Sequence, residues 1–237
     1  MSGRAFVGTS GFNFPDWVGP FYPPGTKPPK MLGAYAERLH SVEINYTFRR
    51  DVSPSTIERW RDTVPDDFRF SLKAHQRITH YQRLGENSEG AVRDFLSRVE
   101  PLGDKLGVIL FQCPPNLAFD AETIERFLGW LPSTVRAAFE FRHPSWDEAR
   151  PVLAAHGAAW CVADTDDAPA NGPVESAPLT YFRLRRETYT DGDLRAWADR
   201  FGEMTAAGSD VFTFVKHEEG AAGALYAQQL TDLLSAG

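Results

Sequence analysis

Eight short runs rich in β-branched, aromatic and aliphatic residues recur along this chain, and most alternate with stretches whose apolar residues repeat at three- and four-residue steps. The first pattern is that of buried strands and the second that of helices lying on a sheet. Such alternation implies a parallel sheet, because parallel neighbours need long crossovers that are usually helical. Ala5 to Thr9, Val42 to Asn45, Phe68 to Lys73 and Gly107 to Gln112 are the first four predicted strands. The run from Arg136 that ends in Glu140 and Arg142 is the fifth, followed by Ala158 to Ala163, Leu179 to Leu184 and Val211 to Lys216.

Between them, Met31, Leu32, Tyr35, Ala36 and Leu39 form one helical stripe, and Ala91, Val92, Phe95, Leu96 and Val99 another. Ser53-Pro54 opens a helix with a capping serine and a proline at the first helical position. Asp120 caps the next, with Ile124, Phe127 and Leu128 inward, and Ser145-Trp146-Asp147-Glu148 fits a capping box. Leu194, Trp197, Ala198, Phe201 and Met204 mark a later helix, and Tyr226, Leu230, Leu233 and Leu234 the last. Asp164 to Pro178 shows no helical stripe, so an irregular crossover is expected there. The sum predicts a single α/β domain over residues 1–237, a TIM-type (β/α)8 parallel barrel. A doubly wound open sheet is the alternative, but Gly8-Thr9-Ser10-Gly11 is not the glycine-rich phosphate turn such a sheet often carries.

The polar residues sit late in these runs. Side chains alternate between the two faces of a strand, so Glu140 and Arg142 share one face while Phe139 and Phe141 take the other. Glu43 and Asn45, Lys73, Gln112, Arg183 and Lys216 end other runs in the same way, and in a parallel barrel all strand ends converge on one rim.

Val7-Gly8-Thr9-Ser10-Gly11, Asp16-Trp17, Phe21-Tyr22-Pro23, Val42-Glu43-Ile44-Asn45, Thr47-Phe48, Phe68 to Lys73, Ile78-Thr79-His80, Leu110-Phe111-Gln112-Cys113-Pro114-Pro115 and Glu140 to Trp146 occur in this order. Together they resemble the YecE-like family, a domain of unknown function, over essentially the whole chain. The resemblance implies a TIM-type barrel and implies no settled activity. Many members carry Phe-Asn-Asn at the end of the last strand, where this chain reads Phe214-Val215-Lys216-His217, so no role of those asparagines carries over.

Glu43 and Glu140, with Asp164 third, are the candidate catalytic groups, as acid and base or as acid and nucleophile. Flanking cations keep one carboxylate ionised while a less solvated partner could hold its proton. Asn45, Lys73, Gln112, Arg142, His143, Arg183 and Lys216 are the candidate substrate contacts, since guanidinium and ammonium groups suit phosphate or carboxylate. A hydrolase-like reaction on a small anionic, phosphate- or sugar-containing substrate follows, with a lyase or isomerase as relatives of it. Buried charges must be paired or hydrated, so a purely structural ion network at the barrel end is the competing reading.

The loop from Phe12 to Gly25 mixes aromatics with Pro and Gly; Trp17 and Tyr22 either stack on a ligand or pack the loop against itself. Tyr46 and Phe48 carry the same two readings, whereas His75 and His80 read as local hydrogen-bonders and Trp146 as packing. A metal site of Glu43, Glu140 and Asp164 with His143 or His217 is disfavoured, because Lys73, Arg142, Arg183 and Lys216 already neutralise the carboxylates. No cofactor or metal is expected.

The formal charge of -7 disfavours broad attraction to nucleic acid or anionic lipid. A nucleotide or nucleic-acid binder using the basic pocket and aromatic loops is therefore the second functional reading. Cys113 and Cys161 lack metal or redox spacing and are expected as buried free thiols. The N-terminus enters Phe6-Val7-Gly8-Thr9 without a charged start and apolar signal core, and no run is long enough to span a bilayer. The expectation is a cytoplasmic protein; nothing in the sequence indicates its oligomeric state.

Overall fold

A computed structural model describes residues 2–170, 177–216 and 220–236. Eight strands close into a parallel barrel in sequence order: β1 (Ala5–Ser10), β2 (Ser41–Ile44), β3 (Arg69–Lys73), β4 (Leu106–Gln112), β5 (Ala137–Glu140), β6 (Ala159–Asp164), β7 (Leu179–Leu184) and β8 (Asp210–Val215). Every neighbouring pair is parallel, and β8 returns to pair with β1. Periodicity therefore located the strands, seven of them to within one residue at each end. The open-sheet alternative is excluded by closure.

The helices are α1 (Pro28–Ala36), α2 (Tyr46–Arg49), α3 (Pro54–Thr63), α4 (Ser88–Val99), α5 (Ala121–Gly129), α6 (Arg150–Ala155), α7 (Asp191–Ala206) and α8 (Ala222–Ala236). Ser53 and Asp120 cap α3 and α5 as expected, accepting from the amides of Thr56 and Thr123. The capping box at Ser145 is a misreading. Pro144 takes the first helical position of a 3-10 turn over Pro144–Ala149, so the cap falls to His143, whose ring accepts from the Ser145 amide. Asn45 is also not strand: its backbone is already helical, and α2 starts directly after it.

Alternation divides the core in two. Phe6, Val108, Leu110, Ala138, Ala159, Cys161, Leu179, Tyr181, Phe212 and Phe214 point inward and fill the barrel. The other face of each strand, with Val42, Phe70, Leu72, Phe111, Phe139 and Phe182, packs against the helices. Gly8 lets β1 approach β2 closely, for an added Cβ would fall 2.0 Å from the Ser41 carbonyl oxygen. Gly11, at φ +104, turns the chain out of β1 in a conformation that suits glycine. Both cysteines are free and buried.

The described parts of the β6–β7 crossover carry no helix, as the sequence indicated. The outward faces of Trp160 and Val162 are consequently only half-buried. No described helix is long and apolar enough to cross a membrane.

Candidate functional site

Inward parity at the carboxyl ends of the strands brings Ser10, Glu43, Lys73, Gln112, Glu140 and Arg183 into one layer that closes the top of the barrel. All six are buried. Arg183 of β7 is the hub: Nη2 donates to Glu43 Oε1 at 2.8 Å and Nη1 to Glu140 Oε2 at 2.6 Å. Glu43 Oε1 also accepts from Ser10 Oγ and Asn45 Nδ2, and Oε2 accepts from the Tyr181 hydroxyl. Glu140 Oε1 accepts from Gln112 Nε2 at 2.6 Å and from Nε and Nη2 of the half-exposed Arg142, each at 3.3 Å.

These contacts set the protonation states. Burial alone would raise both carboxyl pKa values, but the Arg183 charge and the converging donors outweigh it. Glu43 is held below its usual range and Glu140 falls to about 2. Both are carboxylates at neutral pH, so neither stores a proton for use as an acid. The same pairing drives the Arg183 guanidinium further toward its charged form, against the cost of its own burial.

Lys73 differs from its neighbours. It is 8% exposed, and Nζ donates to the neutral amide oxygen Oε1 of Gln112 at 2.6 Å. The same nitrogen lies 3.9 Å from the centre of the Phe48 ring. Burial and repulsion from Arg183 lower its pKa to about 8, against the opposing pull of Glu140 and Glu43.

Phe48 is held there by α2, because the Thr47 hydroxyl donates to the Lys73 carbonyl at 2.7 Å. His80 meets Phe48 edge-on, 5.0 Å between ring centres, from a π-helical turn over Arg77–Tyr81. Burial and the charges of Lys73 and Arg142 lower the His80 pKa, so its ring is neutral at pH 7. The same loop holds Arg83 and Leu84 at φ 54 and 58, a left-handed conformation that non-glycine residues adopt only when tied down. Buried Leu84 and the bonds from Arg83 to Asn116 tie it.

Arg185, two residues beyond Arg183, is half-buried, and among the described residues its guanidinium has no hydrogen-bond partner. Burial and the Arg183 charge lower its pKa. Arg142, Arg185 and Glu140 border a cleft of about 730 Å³ running down past Trp160 and Val162. A second cleft of about 770 Å³ opens beside Ser10 and Asn45, lined by Phe12, Phe14, Tyr46 and Trp60.

Several sequence-based assignments are corrected. Asp164 shares the parity of the outward Trp160 and Val162, so it leaves the barrel. Its carboxylate accepts from Arg186 Nε, the Tyr189 hydroxyl and the Ala170 amide. Trp17 and Tyr22 are each 1% exposed, packed with Phe14 and Phe21 in a self-filled loop, and cannot stack on a ligand. His143 spends Nδ1 on Ser145 as a cap rather than facing substrate. Lys216 lies one residue past β8, at the same barrel end, with its amide donating to the Leu184 carbonyl. His217 lies outside the described residues, among which no group of three His, Cys, Asp or Glu is placed to hold a metal.

Ser10, Phe48, His80, Tyr181 and Arg185 were not assigned to the site from sequence. Strand alternation alone implicates two of them, since Tyr181 and Arg185 flank Arg183 at two-residue steps.

A family model described as "Protein of unknown function DUF72" matches residues 6–237. The chain is 32% identical over 116 residues to UPF0759 protein YecE of Escherichia coli K12, which takes in 48% of this chain and 42% of that protein. That matched segment thus spans under half the relative's length. Against UPF0759 protein YunF of Bacillus subtilis it is 25% identical over 271 residues, 97% of this chain and 94% of the relative. The crystal structure of a DUF72 family protein from Thermotoga maritima superposes with a TM-score of 0.84 at 26% identity, over 98% of this chain and 99% of that one. Matching along nearly the whole length and sharing the barrel, the chain belongs to the DUF72 family.

Proposed function

We propose that this protein is an enzyme acting on a small anionic substrate held at the open end of the barrel, with acid/base chemistry centred on Lys73. One observation carries the reading. Among the described residues, Lys73, Arg142, Arg183 and Arg185 are grouped around Glu43 and Glu140, four cations to two carboxylates. The two carboxylates are consumed mainly by Arg183, which leaves positive charge over a cleft in a chain of net charge -7. Local excess of this kind suits a phosphate or carboxylate, which guanidinium forks recognise in a fixed orientation.

The carboxylates serve this site by fixing Arg183 and by holding charge in place, and either could accept a proton. The acid that a hydrolase-like, lyase or isomerase reaction requires is better supplied by Lys73, which titrates near working pH. A sugar-bond hydrolase using Glu43 and Glu140 as an acid and nucleophile pair is less favoured, because neither carboxyl holds a proton. The second reading, a nucleotide or nucleic-acid binder, relied on Trp17, Tyr22 and Tyr46 as stacking rings; of these only Tyr46 is exposed.

A thermal-shift screen of the purified protein against a metabolite collection tests the proposal. Stabilising compounds should be small anions, and their effect should vanish in the Arg142→Ala/Arg185→Ala variant. Neutral hits, or anionic hits that stabilise that variant equally, would remove the assignment.

A further inference from the structure

At the barrel mouth, Lys73 is tucked between a neutral amide and an aromatic face. Arg183 occupies Glu43 and one oxygen of Glu140, and the other Glu140 oxygen is taken by Gln112 and Arg142. Gln112 works as a spacer: its amide nitrogen faces Glu140 and its amide oxygen faces Lys73. That places a side-chain amide, where a carboxylate would be expected, against a nearly buried ammonium. On the other side Nζ meets the Phe48 ring, with His80 edge-on behind it. An electrostatic anchor for substrate would gain from exposure and from a flexible reach, and Lys73 has neither. The placement matches what an amine nucleophile requires, desolvation beside other cationic groups.

We infer that Lys73 forms an imine with an aldehyde or ketone that carries an anionic group, the anion resting on Arg142 and Arg185. This rests on the anionic-substrate reading above and adds the reacting function to it. The lone pair of neutral Nζ adds to the carbonyl carbon, and the carbonyl π pair moves onto oxygen. That oxygen takes up one of the two protons leaving nitrogen. The hydroxyl then leaves as water with the second nitrogen proton as the nitrogen lone pair forms the carbon–nitrogen double bond, so amine and carbonyl become imine and water with no change of oxidation state. The imine then draws electrons from a bond next to the former carbonyl carbon, as lyase and isomerase reactions need. Besides burial, the groups that set the charge on Lys73 are Arg183 of β7, Glu140 and Arg142 of the β5 end and Glu43 of β2, and Lys73 in turn lowers the pKa of His80 on the π turn.

The test is borohydride trapping of the full chain with pyruvate, whose anion is a carboxylate, and separately with dihydroxyacetone phosphate. Reduction adds hydride to the imine carbon, so the protein gains the mass of the probe less one oxygen atom. The chain has five lysines, Lys27, Lys30, Lys73, Lys105 and Lys216, so a peptide map assigns the adduct unambiguously. One adduct per chain on the Lys73 peptide is expected with at least one probe, formed faster as pH rises through about 8 and absent from Lys73→Arg. Should that variant fail to fold, the map of the unaltered protein decides by itself. Labelling spread over the five lysines, or none with either probe, overturns the inference. Phosphate-induced thermal stabilisation measured on the same sample separates the two claims: stabilisation without an adduct removes the imine and keeps the anion site, whereas neither effect removes both.

Discussion

Lys73 gives its shortest hydrogen bond, 2.6 Å, to the amide oxygen of Gln112 and not to a carboxylate. A buried ammonium so placed is destabilising in its charged form. The folded pKa of about 8 lies below the unfolded value of 10.5, so between those values the unfolded chain holds more protons and stability rises with pH. Below pH 8 the penalty is fully present, on the order of 3 kcal/mol from the shift. Lys73→Met should therefore be more stable than the parent at pH 7 by about 1 to 3 kcal/mol, the Gln112 oxygen left without its donor offsetting part of the gain. Urea melts at pH 7 and pH 10 check this: the advantage should shrink at the higher pH. Equal differences at both would show that Lys73 is solvated like an ordinary lysine.

Glu140→Gln should be costly. The carboxylate accepts on both oxygens, from Gln112 and Arg142 on one and from Arg183 on the other, and a carboxamide must turn its NH2 toward one of those donors. Leaving Arg183 partly unpaired in the interior is expected to destabilise by roughly 3 to 5 kcal/mol in urea melts. The parent's folded pKa is depressed, so the stability Glu140 contributes is present above its unfolded value of 4.5 and lost as pH falls toward about 2. The variant should lack that part of the acid limb. A near-neutral change at pH 7 would show that the pair is not the brace described.

Asp164→Asn separates the outer network from the site. It weakens the bonds to Arg186 and Tyr189 and should lower stability by about 1 to 3 kcal/mol. Calorimetric affinity for inorganic phosphate should stay at the parent value. A loss of affinity matching that of Arg185→Ala would return Asp164 to the site.

Trp17→Ala should act through packing alone. Truncating a ring at 1% exposure is expected to cost about 3 to 5 kcal/mol by thermal or urea melts. Phosphate binding in the folded fraction should persist.

Much of this was legible in the sequence because barrel geometry needs only two periods. The helical stripes and strand runs fixed the element order, and alternation from Glu140 to Arg142 put both on one face. The same rule, applied to β6, would have removed Asp164: with Ala159 and Cys161 inward, an even step from Trp160 points away from the barrel. Trp17 and Tyr22 were ambiguous because composition does not tell whether rings in a loop face one another or solvent. The partner of Lys73 was out of reach for a different reason. It depends on Arg183 of β7 claiming Glu43 and Glu140 across the barrel, a contact between residues 140 and 43 positions apart. His80 was hidden because a π turn, which no simple periodicity announces, carries it back to Phe48.

The most direct test is a carbon NMR titration of protein labelled at the lysine ε-methylene, with and without inorganic phosphate. Five lysines keep the spectrum assignable, and Lys73→Arg identifies the signal. One resonance should titrate near pH 8, and phosphate should shift it and raise its midpoint, since an anion beside the ammonium favours the charged form. If the Lys73 signal titrates with the other four and ignores phosphate, the barrel mouth is a closed ion network and the account of an anion-binding enzyme fails.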